Sequence, residues 1–150
     1  MNFALQNIFM DEKFADKKEL FHFLALKAEL LGIANDPAAL EQALLQRELE
    51  FSTGIQEGFA IPHAKAFCVK YPSVIYVNCR QPLKWQTFDG SDVEHIFCLL
   101  VPEKNESTEH IAILSHLATC IMETEFRTYI KQEKNSGKIA VYLKHRMEEK

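Results

Sequence analysis

The chain has 150 residues, with 17 Lys and Arg against 21 Asp and Glu, so its formal net charge is −4 with six histidines neutral. That balance excludes a generic polyanion binder, which needs clustered excess cation. With 47% hydrophobic and 25% charged residues, and only five Gly and five Pro, it excludes a disordered chain or a long low-complexity linker and fits one globular domain, 1–150.

The opening Met1-Asn2-Phe3-Ala4-Leu5-Gln6 lacks the basic-then-apolar run of a signal peptide, and no apolar stretch reaches the roughly 18 residues of a membrane span, so a cytoplasmic location is expected. Asn7-Ile8-Phe9-Met10 reads as the start of an edge strand. Asp16 is placed to cap a helix whose apolar residues Leu20, Phe23, Leu24, Leu30 and Leu31 recur at helical spacing, and Gly32 stands where a left-handed C-cap belongs. Asp36 before Pro37 opens a second helix through Leu40, Ala43, Leu44 and Arg47. Phe51 to His63 then reads as a loop hinged at Gly54 and Gly58, feeding a short strand that Pro62 ends.

Ser73 to Arg80 and Val93 to Val101 are rich in β-branched and aromatic residues and predict strands, the later one largely buried. Gln81 to Trp85 and Asp89-Gly90 supply turn residues with room for one short extra strand. Asn105 or Ser107 can cap a helix with an apolar stripe of Ile111, Leu114, Leu117, Ala118 and Ile121, which Phe126, Tyr129 and Ile130 continue. Ser136 begins a last amphipathic segment, and residues 145–150 are expected to fray. Helices at both ends of a strand-rich middle imply a layered α/β domain, a mixed sheet with helices on both faces.

Cys68, Cys79, Cys98 and Cys120 include no C-x-x-C pair, so reduced thiols are the simplest account, and Cys68 has no glycine-rich nest to activate it. Among the histidines, His63 follows Pro62 and is expected at the mouth of a loop, where a neutral imidazole is a competent nucleophile; the alternative is a surface histidine after a turn. His110 has Leu114, Leu117 and Ile121 at i+4, i+7 and i+11, which puts it in the first turn of its helix, a favourable place for an anion; a core histidine is the alternative. No third ligand at close spacing accompanies them, so the pair suggests phosphoryl rather than metal chemistry. His22, His95, His116 and His145 read as structural or surface residues. Arg47 ends the second helix just before Ser52-Thr53-Gly54, where its planar fork either reaches an oxyanion near His63 or compensates the helix dipole. Thr53 either donates its hydroxyl to that anion or satisfies a turn.

Arg47-Glu48, Ser52-Thr53-Gly54-Ile55 and Gly58-Phe59-Ala60-Ile61-Pro62-His63-Ala64-Lys65 resemble the enzyme IIA signature of the sugar phosphotransferase system, mannitol/fructose class. Trp85, Asp89-Gly90, Ile96 to Pro102 and Glu109-His110-Ile111 continue the resemblance in the same order over nearly the whole chain. One departure is Gln56, where the family commonly has glycine.

The resemblance implies the mannitol-type enzyme IIA fold, with His63 accepting a phosphoryl group on Nε2 from the histidine phosphocarrier protein and passing it to a cysteine of a separate enzyme IIB, which serves a membrane enzyme IIC. It also implies that His110 stabilises the phosphoryl oxygens and Arg47 the developing charge, that neither a metal nor an organic cofactor is needed, and that neither nucleic acid nor membrane is a direct partner. A nitrogen-type regulatory protein with the same His63 chemistry is the alternative. An apolar docking rim around His63 is expected from Phe59, Ile55 and Phe67, with a core position as the alternative for each.

Overall fold

Apolar runs with period two or three to four residues meet their partners in a sheet covered on both faces. The computed structural model describes residues 4–104 and 109–148. After a 3-10 turn at Leu5–Asn7, the elements in chain order are β1 (Ile8–Glu12), α1 (Lys17–Leu30), α2 (Pro37–Glu50), β2 (Phe59–Ala60), β3 (His63–Ala66), β4 (Ser73–Leu83), β5 (Val93–Pro102), α3 (Glu109–Met122), α4 (Thr124–Gln132) and α5 (Ser136–Glu148). The Asp16 carboxylate accepts from Glu19 N at 2.9 Å and that of Asp36 from Ala39 N at 3.1 Å, satisfying otherwise orphaned first-turn donors. Gly32 ends α1 at φ 78°, where a side chain would strain the backbone.

The sheet is mixed. β1 runs parallel to β4 at one edge, β4 antiparallel to β5 in the centre, and β2 and β3 both lie parallel to the far side of β5. Side-chain alternation divides the core. Ala60, Ala64, Ile75, Val77, Ile96, Cys98 and Leu100 pack on one face beneath Leu20, Leu24, Leu40 and Leu44 of α1 and α2. Phe59, Ile61, Val74, Tyr76, Phe97 and Leu99 pack on the other beneath Leu117, Ile121, Phe126, Ile130 and Leu143 of α3, α4 and α5. The expected α/β layering with helices on both faces is therefore the observed one.

Four details differ from the sequence reading. β4 continues through Pro82 to Leu83 with a register shift between Asn78 and Leu83, so no extra strand forms there among the described residues. The apolar stripe after Ile121 is not one helix, because Glu123 is extended (φ −85°, ψ 126°) and caps a new one, and Ile111 is exposed rather than packed. The tail expected to fray from His145 is instead the last turn of α5 as far as Glu148; the Arg146 carbonyl accepts from His116 Nε2 at 2.6 Å, and residues 149–150 lie outside the described residues. Asn105 and Ser107, the expected caps of α3, also lie outside them.

Two polar groups are set into the core. The first is His95, 4% exposed, whose Nδ1 meets the fully buried Tyr76 hydroxyl at 2.9 Å and whose ring stacks on Phe59 at 4.8 Å. Burial, with Lys131 and Lys134 nearby, pushes its pKa down to about 4. The second is Glu48, with a side chain 8% exposed, at the end of α2. Its carboxylate accepts from Thr53 N at 3.0 Å, Thr53 Oγ1 at 2.6 Å and Trp85 Nε1 at 3.0 Å, with Lys17 Nζ 3.5 Å away. These bonds tie α2 to the following loop and to the segment after β4.

Replacing Glu48 by Gln swaps an acceptor for a donor among these partners and is expected to destabilise the protein by about 1–3 kcal/mol. Urea unfolding followed through Trp85, the only tryptophan in the chain, reads that loss directly. For His95 the sign follows from a native pKa below the unfolded value: the unfolded chain takes up a proton first as pH falls. Its contribution is complete above about pH 6.5 and is lost progressively towards pH 4. An NMR titration of the imidazole in the native state should give a midpoint near 4, and a midpoint near the ordinary value would contradict this account.

Candidate functional site

β2 and β3 pair with β5 in a single register, Phe59 opposite His95, Ala60 opposite Ile96, His63 opposite Leu99 and Ala64 opposite Leu100. They form one strand interrupted at Ile61-Pro62, because Pro62 has no N–H to donate. At the interruption the Ile61 N–H donates to the Thr53 carbonyl at 3.0 Å, while the Pro62 carbonyl still accepts from Leu99 N at 3.0 Å. His63 is thus the first residue of β3 rather than a residue at a loop mouth, which corrects the sequence reading. The strand resumes because only one donor is lost from the ladder.

His63 is half-buried, and its two ring nitrogens are distinct. Nδ1 lies 2.9 Å from the Ile61 carbonyl, and since a carbonyl only accepts, Nδ1 carries the proton. Nε2 is left with its lone pair, which accepts from Arg47 Nε at 3.1 Å. Arg47 is held in turn by donation from its terminal Nη1 to the Phe51 carbonyl at 2.9 Å, just past the end of α2. Helix α2 thus delivers a guanidinium to the unprotonated nitrogen of His63. Arg47 touches both the His63 ring and the carbonyl at the end of its own helix.

The Thr53 hydroxyl donates to Glu48 rather than towards His63, so in this structure it serves the loop. Glu48 is the site residue that sequence reasoning missed: at a helix end an acidic residue ordinarily reads as solvated. The loop itself is a hairpin. Glu57 (φ 50°) and Gly58 (φ 88°) are the central residues of a turn in which Phe59 N donates to the Gln56 carbonyl at 3.0 Å. Gln56 is not among the positive-φ positions, so its side chain in place of a glycine costs no backbone strain. Gly54 is constrained differently, since a Cβ there would collide with the Gln86 carbonyl, Thr87 and Trp85.

His110 sits in the first turn of α3, a helix of the layer covering the sheet face shared by Leu99 and its register partner His63. Its side chain lies outside the described residues. Of the expected docking rim, Phe67 is exposed, Ile55 is half-buried and Phe59 takes the core alternative, as its pairing with β5 requires. Exposed Leu49, Phe51 and Phe88 instead line an open cleft of about 410 Å3 beside Glu48 and Ser52. All four cysteines are buried and unbridged, and desolvation pushes the Cys68 thiol up, which disfavours a nucleophilic role. Among the described residues no helix is long and apolar enough to cross a membrane, and no cluster of acidic, His and Cys side chains has metal-binding geometry.

Comparison with known proteins places this arrangement in context. The family model for the phosphoenolpyruvate-dependent sugar phosphotransferase system, EIIA 2, matches residues 1–146. A fructose-like EIIA component of the phosphotransferase system from Escherichia coli K12 is 37% identical over 101 residues, covering 67% of this chain and 68% of that protein. Multiphosphoryl transfer protein 1 of the same organism is 31% identical over 93% of this chain, which spans only 17% of that longer protein. Among solved structures, nitrogen regulatory protein IIA-Ntr from Neisseria meningitidis superposes with a TM-score of 0.86 at 31% identity, covering 93% of this chain and 94% of that one. The Escherichia coli mannitol enzyme IIA, solved in complex with phosphorylated mannitol enzyme IIB, shares the fold (TM-score 0.78, 17% identity, 93% and 95% covered). By its match over residues 1–146, its identity with these relatives and its fold, the chain belongs to the EIIA 2 family of the phosphoenolpyruvate-dependent sugar phosphotransferase system.

Proposed function

We propose that the protein is a phosphoryl carrier in which His63 Nε2 accepts a phosphoryl group from the histidine phosphocarrier protein and donates it to a cysteine thiolate of a separate enzyme IIB. The observation that carries this reading is the protonation pattern of His63, with Nδ1–H on the Ile61 carbonyl and the Nε2 lone pair turned to Arg47. In the forward step the Nε2 lone pair forms the N–P bond as the donor's own N–P bond breaks, and the donor imidazole leaves neutral. The Ile61 carbonyl keeps the Nδ1 proton in place throughout, so the phosphorylated ring has one positive charge stabilised by an acceptor. Arg47 must swing off Nε2 to admit the phosphorus, and its guanidinium then donates to the phosphoryl oxygens. His110, from the start of α3, supplies a further donor to those oxygens, and Thr53 is a second-rank contributor because Glu48 holds its hydroxyl.

Transfer of this kind depends on in-line positioning and charge stabilisation, which the chain's own side chains provide without a metal or organic cofactor. The phosphocarrier and enzyme IIB dock in turn on the exposed Phe51, Leu49, Phe88 and Phe67 around the site, by brief encounters compatible with release after each transfer. The cytoplasm is the compartment in which such partners and reduced cysteines occur together.

A second reading has a specific observation behind it. The likeness to the Neisseria protein at 31% identity over 93% of the chain favours a regulatory carrier, with the same phosphohistidine but a target protein in place of enzyme IIB. Against it stands the 37% identity to a fructose-like component. The two readings share the first reaction and part at the second.

His63→Gln should abolish acid-labile phosphorylation by phosphoenolpyruvate, enzyme I and the phosphocarrier, and a surviving phospho-adduct would overturn the assignment. Arg47→Gln, which loses one charged donor, should slow single-turnover transfer by about a hundredfold while leaving the unfolding midpoint unchanged. His110→Ala should also slow it without loss of fold, and an unchanged rate would return His110 to a packing role. Mixing the phosphorylated protein with enzyme IIB partners separates the readings: rapid loss of label to one of them supports transport, whereas retention supports regulation.

A further inference from the structure

The opposite end of the β5 pairing from His63 holds a second polar site. A cavity of about 410 Å3 opens between the turn before β2, the start of β5 and the end of α4, and His95, Lys131, Lys134, Asp92 and Glu94 are among its lining residues. Its size lies within the roughly 300–1,000 Å3 of small-molecule sites. Four residues along β5 separate His95 from Leu99, the partner of His63, so the two sites are about 13 Å apart along the strand.

His95 is the group that makes this cavity more than a surface dent. Its ring is 96% buried, stacked on Phe59, and Nδ1 is engaged by the Tyr76 hydroxyl. Burial pushes the Tyr76 hydroxyl pKa well up, so the phenol keeps its proton, and His95 Nδ1 is its hydrogen-bond partner among the described residues. The arrangement that satisfies both groups has Tyr76 donating to Nδ1 and the imidazole proton on Nε2. That Nε2–H has no protein acceptor among the described residues. It is also not sealed, since the one fully buried side-chain polar atom without a partner among them is Arg127 Nε. A neutral, rigidly held donor therefore opens to the cavity.

The charges around it are of both signs and unequally used. Glu57 is neutralised by Arg127 at 2.9 Å and Lys131 at 3.2 Å. Lys134 Nζ bonds only the Lys131 carbonyl, at 3.1 Å, and no carboxylate lies within ion-pair distance of it among the described residues. Asp92 and Glu94 likewise form no ion pair among the described residues. A bare anion would meet the unneutralised Asp92 carboxylate and a bare cation the Lys134 ammonium, whereas a small molecule carrying one of each meets a complement for both.

We propose that this cavity binds a small zwitterion of the α-amino acid type, with its carboxylate on His95 Nε2–H and Lys134 and its ammonium group towards Asp92. The site is independent of the reading given to His63, because none of its residues contacts that histidine and its occupancy is read by binding alone.

The test uses the full chain, labelled with 15N, titrated at pH 7 with glycine, serine, glutamine and glutamate, and separately with acetate and with methylamine as half-ligands. At least one amino acid should move the His95 Nε2 resonance saturably, and Lys134→Gln and Asp92→Asn, both surface changes, should each weaken that binding by about fivefold or more. Acetate and methylamine should each bind more weakly than the amino acid. Absence of a saturable His95 shift up to about 50 mM of every amino acid would overturn the proposal, as would binding indifferent to both substitutions or acetate binding as tight as the amino acid. Phosphorylation of His63, measured on the same sample, reports the other site separately.

Discussion

The interruption of one strand at Ile61-Pro62 is the constraint on which the functional end of this protein depends. β2 and β3 keep one register against β5, so the break costs the sheet little, yet it frees the Ile61 carbonyl from the ladder. That carbonyl takes the Nδ1 proton of His63 two residues on. A single backbone acceptor thereby selects the tautomer, fixes the ring plane and leaves Nε2 as the nitrogen with a lone pair. Proline is the residue that can make such a break without leaving a buried N–H unpaired.

What lies around that bond is held by buried polar contacts of the same economy. Glu48 gathers three donors from two other segments, so the loop carrying Thr53 and Gly54 is anchored to the helix that delivers Arg47. At the far end of the same strand pair, Tyr76 and His95 satisfy each other inside a stack of aromatic rings. Between them β5 is apolar on both faces, from Ile96 to Val101.

Local features of this fold were legible in the chain because their causes are local. The caps at Asp16 and Asp36 bond backbone three residues away, and Gly32 answers a positive φ within its own residue. The strands of the centre announced themselves by composition, and their alternation explains why one set of residues meets α1 and α2 and the other α3 to α5. The break at Glu123 and the helical end of the chain were not legible, since the first needs one extended residue in an otherwise helical pattern. The second needs partners far along the chain: Arg146 bonds Glu123 at the start of α4, and its carbonyl meets His116 of α3. Glu48 carries no local signal for a related reason, since its bond to Trp85 spans 37 residues, whereas His95, read as a structural or surface residue, is structural, held by Tyr76 19 residues away.

By itself the sequence determined the helices and their starts, the two central strands, and which histidine, arginine and glycine loop carry the family's pattern, since those follow from spacing along one chain. Tertiary structure decided that one nitrogen of His63 meets the Ile61 carbonyl and the other meets Arg47, and that Thr53 is committed to Glu48. The physical reason is that protonation state and hydrogen-bond direction are properties of a pair of groups. Here the partners come from different elements, brought within about 3 Å only when the sheet closes over its interrupted strand.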